Sequence, residues 1–137
     1  MKTIKTSELE GIALDYAVAM CEYPKLIYGE TIGEHWASRQ IVIPEFKEPD
    51  CYYAPSINWS QGGPIVERED ISFRKYHKPD SPEHGTYYAM ICRDSGSMIR
   101  WHKKSSSQGP TPLIAAMRCY VASKLGDVVE VPAELTI

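Results

Sequence analysis

Long apolar stretches are missing from this sequence of 137 residues. Its apolar runs have only a few residues, such as 113–117, whereas a helix needs roughly 20 to cross a bilayer. The opening segment 1–5 leads into polar residues 6–8, so it lacks the apolar stretch of a secretory signal. We therefore expect a cytoplasmic protein with no membrane partner.

An excess of positive charge is also missing. Fifteen Lys and Arg residues face eighteen Asp and Glu residues, which gives a net charge of −3. A chain of this kind has no global basic field that would concentrate it on nucleic acid or on anionic lipid. Nucleic acid is therefore not the partner that we expect, although a local basic cluster stays open as an alternative.

Metal-binding and catalytic motifs are absent as well. The histidines are scattered, and neither H-E-x-x-H, C-x-x-C nor G-x-S-x-G occurs. Buried reduced thiols are our interpretation of the four separated cysteines, Cys21, Cys51, Cys92 and Cys119. We expect a protein without metal, cofactor or catalysis. Two enzyme alternatives are left open, a nucleophilic Cys/His pair assembled by the fold and a pocket formed by Asp15, Glu67 and His102.

The first half of the chain predicts two helices. The S-x-x-E pattern from Ser7 to Glu10 predicts a capping box, and the helix that follows should end before Pro24. A strand is predicted at 39–43 from its β-branched residues. Ser56 is predicted to cap a second helix, which the glycines before Pro64 should break so that a new helix starts at that proline.

The second half predicts a meander and a final helix. Strands are expected at 71–76, 86–93 and 98–103, and residues 105–109 are expected to form a flexible loop. The last helix has Thr111 as its cap, Pro112 in its first turn and Gly126 as its stop. Since this helix is apolar almost all round, it should be buried on more than one side. Residues 128–131 form a short strand or an extended arm.

These elements predict one α+β domain over residues 1–137. We expect a sandwich in which an antiparallel sheet of about four strands is packed by the N-terminal and C-terminal helices. A chain of this length can bury an ordinary hydrophobic core without disulfides.

Two glycine-proline segments suggest a binding site. Residues 61–64 and 108–111 each lie at a predicted helix start, where free backbone amides and the helix dipole favour an anion. If both segments face one cleft, nearby aromatic rings would stack on a nucleobase. The alternatives are that the glycines permit close helix packing and that the rings lie in the core. The candidate ligand-binding residues are Tyr53, Ser56, Trp59, Gly62, Gly63, Arg68, Gly109, Thr111 and Arg118.

The stretch from Arg100 to Lys104 is the only basic cluster. Together with Arg74, Lys75 and Lys78 it would make a cationic sheet edge for single-stranded nucleic acid. We prefer the alternative that these cations prevent unwanted pairing of a strand edge.

Several stretches of the sequence resemble the NinX family of lambdoid-type tailed bacteriophages. The central one is 53–69, which contains Trp59-Ser60-Gln61-Gly62-Gly63-Pro64, and the others are 109–118, 121–126 and, near the start, 5–11 with 14–19. The resemblance implies a phage accessory protein with an α/β sandwich fold. It implies neither a cofactor nor catalytic residues.

Three functions follow from these observations. The first is a phage accessory protein without catalysis that binds a small anionic ligand, such as a host nucleotide signal, and so sequesters it against host defence. The second is a module that docks on a host enzyme or defence protein and exposes an apolar patch. The third is an accessory protein for single-stranded nucleic acid. The sequence also leaves a homo-oligomer open.

Overall fold

The computed structural model describes residues 1–24, 53–82, 85–91 and 107–136, and these ranges form three helices and five strands. The predicted α+β fold is confirmed. The helices are α1 (Gly11–Glu22), α2 (Trp59–Arg68) and α3 (Pro112–Leu125). The strands are β1 (Lys2–Lys5), β2 (Ile71–Lys75), β3 (Tyr87–Ile91), β4 (Ser107–Gly109) and β5 (Val128–Val131).

Within the described ranges, the strands form two antiparallel sheets. One has the order β2-β3-β4, and in the other the N-terminal β1 pairs with the C-terminal β5. Strand β1 was not predicted, because its four residues contain a single strongly apolar side chain, Ile4. The predicted strands at 71–76 and 86–93 are present as β2 and β3, whereas those at 39–43 and 98–103 lie outside the described residues.

Helix α3 is the centre of the core, as its apolar sequence predicted. The Thr111 hydroxyl accepts a hydrogen bond from the Ile114 amide (3.1 Å), and Gly126 ends the helix with a positive φ of 88°. The helix contacts all three strands of the larger sheet and also α1 and α2. Its fully buried positions are Leu113, Ala115, Ala116, Met117, Tyr120 and Val121.

The start of α1 differs from the prediction. Ser7 is exposed within a 3-10 turn, Thr6–Glu8, and does not cap α1, which begins after Glu10 without a side-chain cap. The turn forms because Thr6 is bonded to the end of α3. Its hydroxyl donates to the Gly126 carbonyl (2.6 Å), and its amide donates to the Asp127 carbonyl (2.8 Å).

Helix α2 corrects two further expectations. Its cap is Asn58 and not Ser56, since the Asn58 side chain accepts a hydrogen bond from the Ser60 amide (3.0 Å). The helix then runs through the glycines and Pro64 without the predicted break. Contact with α3 explains this continuity, because tertiary packing supports the helix against the local preference of its residues.

The predicted loop at 105–109 is also corrected in part. Residues Ser107–Gly109 pair with β3 as strand β4, with Gly109 opposite Tyr87. Cys119 is buried and Cys21 is half-buried, and both are free thiols, while Cys51 and Cys92 lie outside the described residues. Burial raises the pKa of the Cys21 thiol to about 11. Among the described residues, no helix has the length and apolar character of a membrane span.

Candidate functional site

The two glycine-proline segments come together at the first turn of α3. Gly62 in α2 faces the side chain of Leu113, and Gly109 at the end of β4 faces the backbone of Ala115. A Cβ atom at Gly62 would lie 2.6 Å from Leu113 Cδ1, and one at Gly109 would lie 2.6 Å from the Ala115 nitrogen. Both glycines therefore permit close packing between chain segments.

Gly63 differs from its neighbour. In the part of the chain that the structure describes, a Cβ atom there would meet nothing closer than the Trp59 ring, at 3.9 Å. One amide at the start of each helix is capped, that of Ser60 by the Asn58 side chain and that of Ile114 by the Thr111 side chain. At Gly62 and Gly109, the space between the two segments is occupied by protein.

Arg68 lies at the other end of α2, among carboxylates. Two of its guanidinium nitrogens donate to Glu22 of α1, at 2.5 and 3.2 Å, and a third interacts with Glu69 at 3.5 Å. The guanidinium carbon also lies 5.9 Å from the centre of the Tyr120 ring. The hydrogen bonds to Glu22 raise the pKa of Arg68. This arginine joins the ends of the three helices.

Arg118 is bonded to backbone carbonyls. It donates to the Leu9 carbonyl (2.7 Å) and to the Gln108 carbonyl (2.9 Å). These contacts tie α3 to the segment before α1 and to β4. Burial lowers the pKa of Arg118. The two predicted anion-binding arginines therefore lie apart, and each is engaged within the protein.

Tyr53 and Ser56 belong to the interior. Tyr53 packs edge-to-face on Tyr23, with ring centroids 5.8 Å apart, and is buried. The Ser56 amide donates to the Asp15 carboxylate (2.9 Å). Burial outweighs this hydrogen bond, which lowers the pKa of the carboxyl group, and raises the pKa of Asp15 to about 6. The buried Ser56 hydroxyl has no hydrogen-bond partner among the described residues.

Trp59 is the predicted aromatic site residue that lies on the surface, where Arg68 and Thr111 are also exposed. Its side chain is 49% exposed and contacts Phe73 of β2, which is 38% exposed, with ring centroids 6.0 Å apart. We call these two side chains the aromatic patch. Phe73 lies on the same sheet face as the buried Ile71, two residues earlier, and continues that apolar face into solvent. Ile57, which is 74% exposed, lies two residues before Trp59.

Phe73 was missed because a β-strand with alternating apolar residues normally places them in the core. The signal in the sequence was the change from Ile71 and Phe73 to the cation Lys75 on one face of β2. That pattern indicates that the apolar face reaches the edge of the core within the strand.

The other candidate sets are not assembled within the described residues. Asp15 is buried against Ser56, whereas Glu67 is exposed on α2. His102 and the basic residues 100–104 lie outside the described ranges. The catalytic and nucleic-acid alternatives built on them therefore stay predictions.

A family model described as "Bacteriophage P22, NinX" matches residues 5–124 of the chain. No curated protein is significantly similar to it.

Proposed function

The chain belongs to the bacteriophage P22 NinX family, and from this premise we propose that it is a non-catalytic accessory protein that docks on a bacterial host protein. It acts in the cytoplasm of the infected cell. The observation that carries the proposal is the aromatic patch.

Trp59 and Phe73 form the kind of surface that protein partners recognise. Large aromatic side chains, tryptophan above all, are enriched among the residues that dominate binding energy at protein interfaces. Here the two rings lie on neighbouring elements, α2 and β2, so the surrounding fold holds their relative positions. Lys75 follows on the same face of β2 and is exposed, which favours a partner with an acidic rim.

The contacts of the arginines and glycines support protein docking over nucleotide binding. Arg68 and Arg118 make internal hydrogen bonds, so neither offers an unoccupied fork to a phosphate. Gly62 and Gly109 face Leu113 and Ala115, which fill the space where a ligand would approach. The glycine-proline segments are thus accounted for by packing.

The test is affinity capture from a lysate of the host, with the double variant Trp59→Ser/Phe73→Ser as the comparison. We expect the wild-type protein to retain one stoichiometric partner and the folded variant to lose it. A matched control is Val128→Ser, which removes an exposed apolar side chain of β5. Equal capture by all three proteins, or background proteins only, would contradict the proposal.

Binding of a nucleotide or another small anion is the second candidate function. Its support is that the starts of α2 and α3 lie side by side, since Gly62 and Leu113 are in contact, and two helix N-termini favour negative charge. A thermal-shift screen against mono-, di- and cyclic nucleotides tests it. Saturation at 100 times the dissociation constant adds about 2.7 kcal/mol to the free energy of unfolding. A flat screen on folded protein removes this candidate.

A further inference from the structure

Strand β1 has one paired edge and one open edge in the described part of the chain. Among the described strands it pairs only with β5, with Ile4 opposite Val129 and Lys2 opposite Val131. The Thr6 amide donates to the Asp127 carbonyl, so position 6 belongs to a hydrogen-bonded pair of this ladder. Hydrogen-bonded and non-hydrogen-bonded pairs alternate along antiparallel strands. The amides and carbonyls of Thr3 and Lys5 therefore point away from β5.

A cleft of about 880 Å³ lies beside this strand, and all four residues of β1 line it. The first turn of α1 forms another wall. Ile12 of that turn and apolar side chains from three other segments complete the lining, namely Ile57, Ile114 and Leu135. An additional strand on the outer edge of β1 would thus find apolar contacts for the side chains that face the cleft.

The charges of β1 favour an acidic occupant. Lys2 and Lys5 are exposed, and β1 contains no acidic residue, while the two glutamates that also line the cleft, Glu8 and Glu10, lie beyond the end of the strand. A second copy of the chain paired through the same edge would bring four lysines onto adjoining strands, which like-charge repulsion opposes. An extended segment with Asp or Glu beside these lysines would instead gain charge-assisted contacts.

The existing partner of β1 shows the side-chain pattern that fits. In β5, Val129 and Val131 are buried on the inner face, whereas Glu130 is exposed on the outer face opposite Thr3. The outer edge of β1 has the same two faces, with the half-buried Ile4 inward and Thr3 and Lys5 outward. An occupant with alternating apolar and acidic residues matches both faces.

From this geometry we infer that the outer edge of β1 and its cleft bind an extended acidic segment of another protein by strand addition. Main-chain hydrogen bonds to Thr3 and Lys5 supply the affinity, and the alternating side chains supply the specificity. This site is separate from the aromatic patch. It therefore goes beyond the proposed function and does not depend on it.

The first experiment uses the full chain and a capped peptide of alternating valine and glutamate, with a peptide of valine and lysine as the control. Calorimetry should detect the acidic peptide, with affinity that falls as salt is raised, and no binding of the basic one. Amide hydrogen exchange should slow at Thr3 and Lys5. The inference is overturned by absence of binding, by equal binding of both peptides, or by binding that leaves these amides unprotected.

Two variants sharpen the test. Thr3→Pro removes an outward amide but leaves the β1–β5 hydrogen bonds in place, so we expect peptide affinity to fall about tenfold. Thr3→Val keeps the amide and should bind as the wild type does. Lys5→Glu should lower the affinity for the acidic peptide about fivefold. This variant takes the place of Thr3→Pro in the test if the proline variant is unstable. Unchanged affinity in folded Thr3→Pro or in Lys5→Glu overturns the inference.

A last comparison separates this site from the other two binding proposals. The Trp59→Ser variant should bind the acidic peptide with wild-type affinity, because Trp59 does not line the cleft. Inorganic phosphate at equal ionic strength should compete no better than chloride. Loss of peptide binding in Trp59→Ser, or specific displacement by phosphate, would contradict strand addition at β1.

Discussion

Residues that the sequence suggested for ligand binding have different roles in the packed region around α3 and in the aromatic patch. Around α3, small and charged residues that suggested a ligand site hold the fold together, as Gly62, Gly109 and Arg118 do. On the patch, the large aromatics Trp59 and Phe73 lie exposed.

Helix α2 contributes to both regions, with Trp59 on the surface and Gly62 in the interior only three positions later. The contrast teaches that residue type alone does not separate packing from binding in this protein. Substitutions near α3 should change stability and leave binding intact, whereas substitutions in the patch should do the reverse.

Neighbouring glycines give the largest expected contrast. Gly62→Ala should lower the free energy of unfolding by about 3 kcal/mol, because its Cβ would overlap the Pro55 carbonyl and Leu113. Gly63→Ala should raise it by up to about 1 kcal/mol, since the site has room and alanine favours the helix. Urea unfolding of both variants measures the difference. Equal effects would mean that the contact between α2 and α3 is looser than the structure indicates.

Asp15 should make the packed region sensitive to pH. Burial raises the pKa of its carboxyl group from 3.8 to about 6, so the folded protein binds this proton more tightly than the unfolded chain. The resulting stability is fully present below pH 3.8 and is lost as pH rises through about 6.

At 1.36 kcal/mol per pKa unit, this contribution of Asp15 is about 3 kcal/mol. The measurement is the free energy of unfolding between pH 4 and 8, compared with Asp15→Asn. The wild type should lose stability relative to the variant as pH rises. Parallel curves would show that the carboxyl group titrates normally.

The two arginines provide a smaller contrast. Arg118→Met should lower the free energy of unfolding by about 2 kcal/mol, because it leaves the Leu9 and Gln108 carbonyls without their charged donor. Arg68→Met should cost about 1 kcal/mol, since the Arg68 side chain of its pair with Glu22 is 52% exposed and solvent screens the pair. Denaturation of both variants checks the order. The reverse order would mean that the contacts of Arg68 with Glu22 and Glu69 contribute more to stability than the hydrogen bonds of Arg118.

The aromatic patch should change stability little compared with its effect on binding. Trp59→Ser and Phe73→Ser should each lower the free energy of unfolding by about 1 kcal/mol, because only part of each side chain is buried. Capture of the host protein should nevertheless be lost. A large loss of stability in either variant would place these rings in the core and remove the contrast.

Local signals predicted the elements whose ends are set by neighbouring residues. Helix α3 has Thr111, Pro112 and Gly126 at the expected positions, and β2 and β3 follow from their apolar residues. The same signals failed at Ser7, because Thr6 is bonded to a turn 120 positions away. They failed at Pro64 as well, because the continuity of α2 depends on its contact with α3.

The sequence by itself determined the α+β class, the central apolar helix and the family resemblance. These depend on periodicity, capping and motif order, which can be recognised from residues that are close together in the sequence. Only the tertiary structure decided that Arg118 bonds to Leu9, 109 positions away, that Gly62 lies against Leu113, and that Trp59 and Phe73 remain outside. The physical reason is that burial and hydrogen bonding depend on which distant segments come into contact. A pattern of consecutive residues does not show which segments these are.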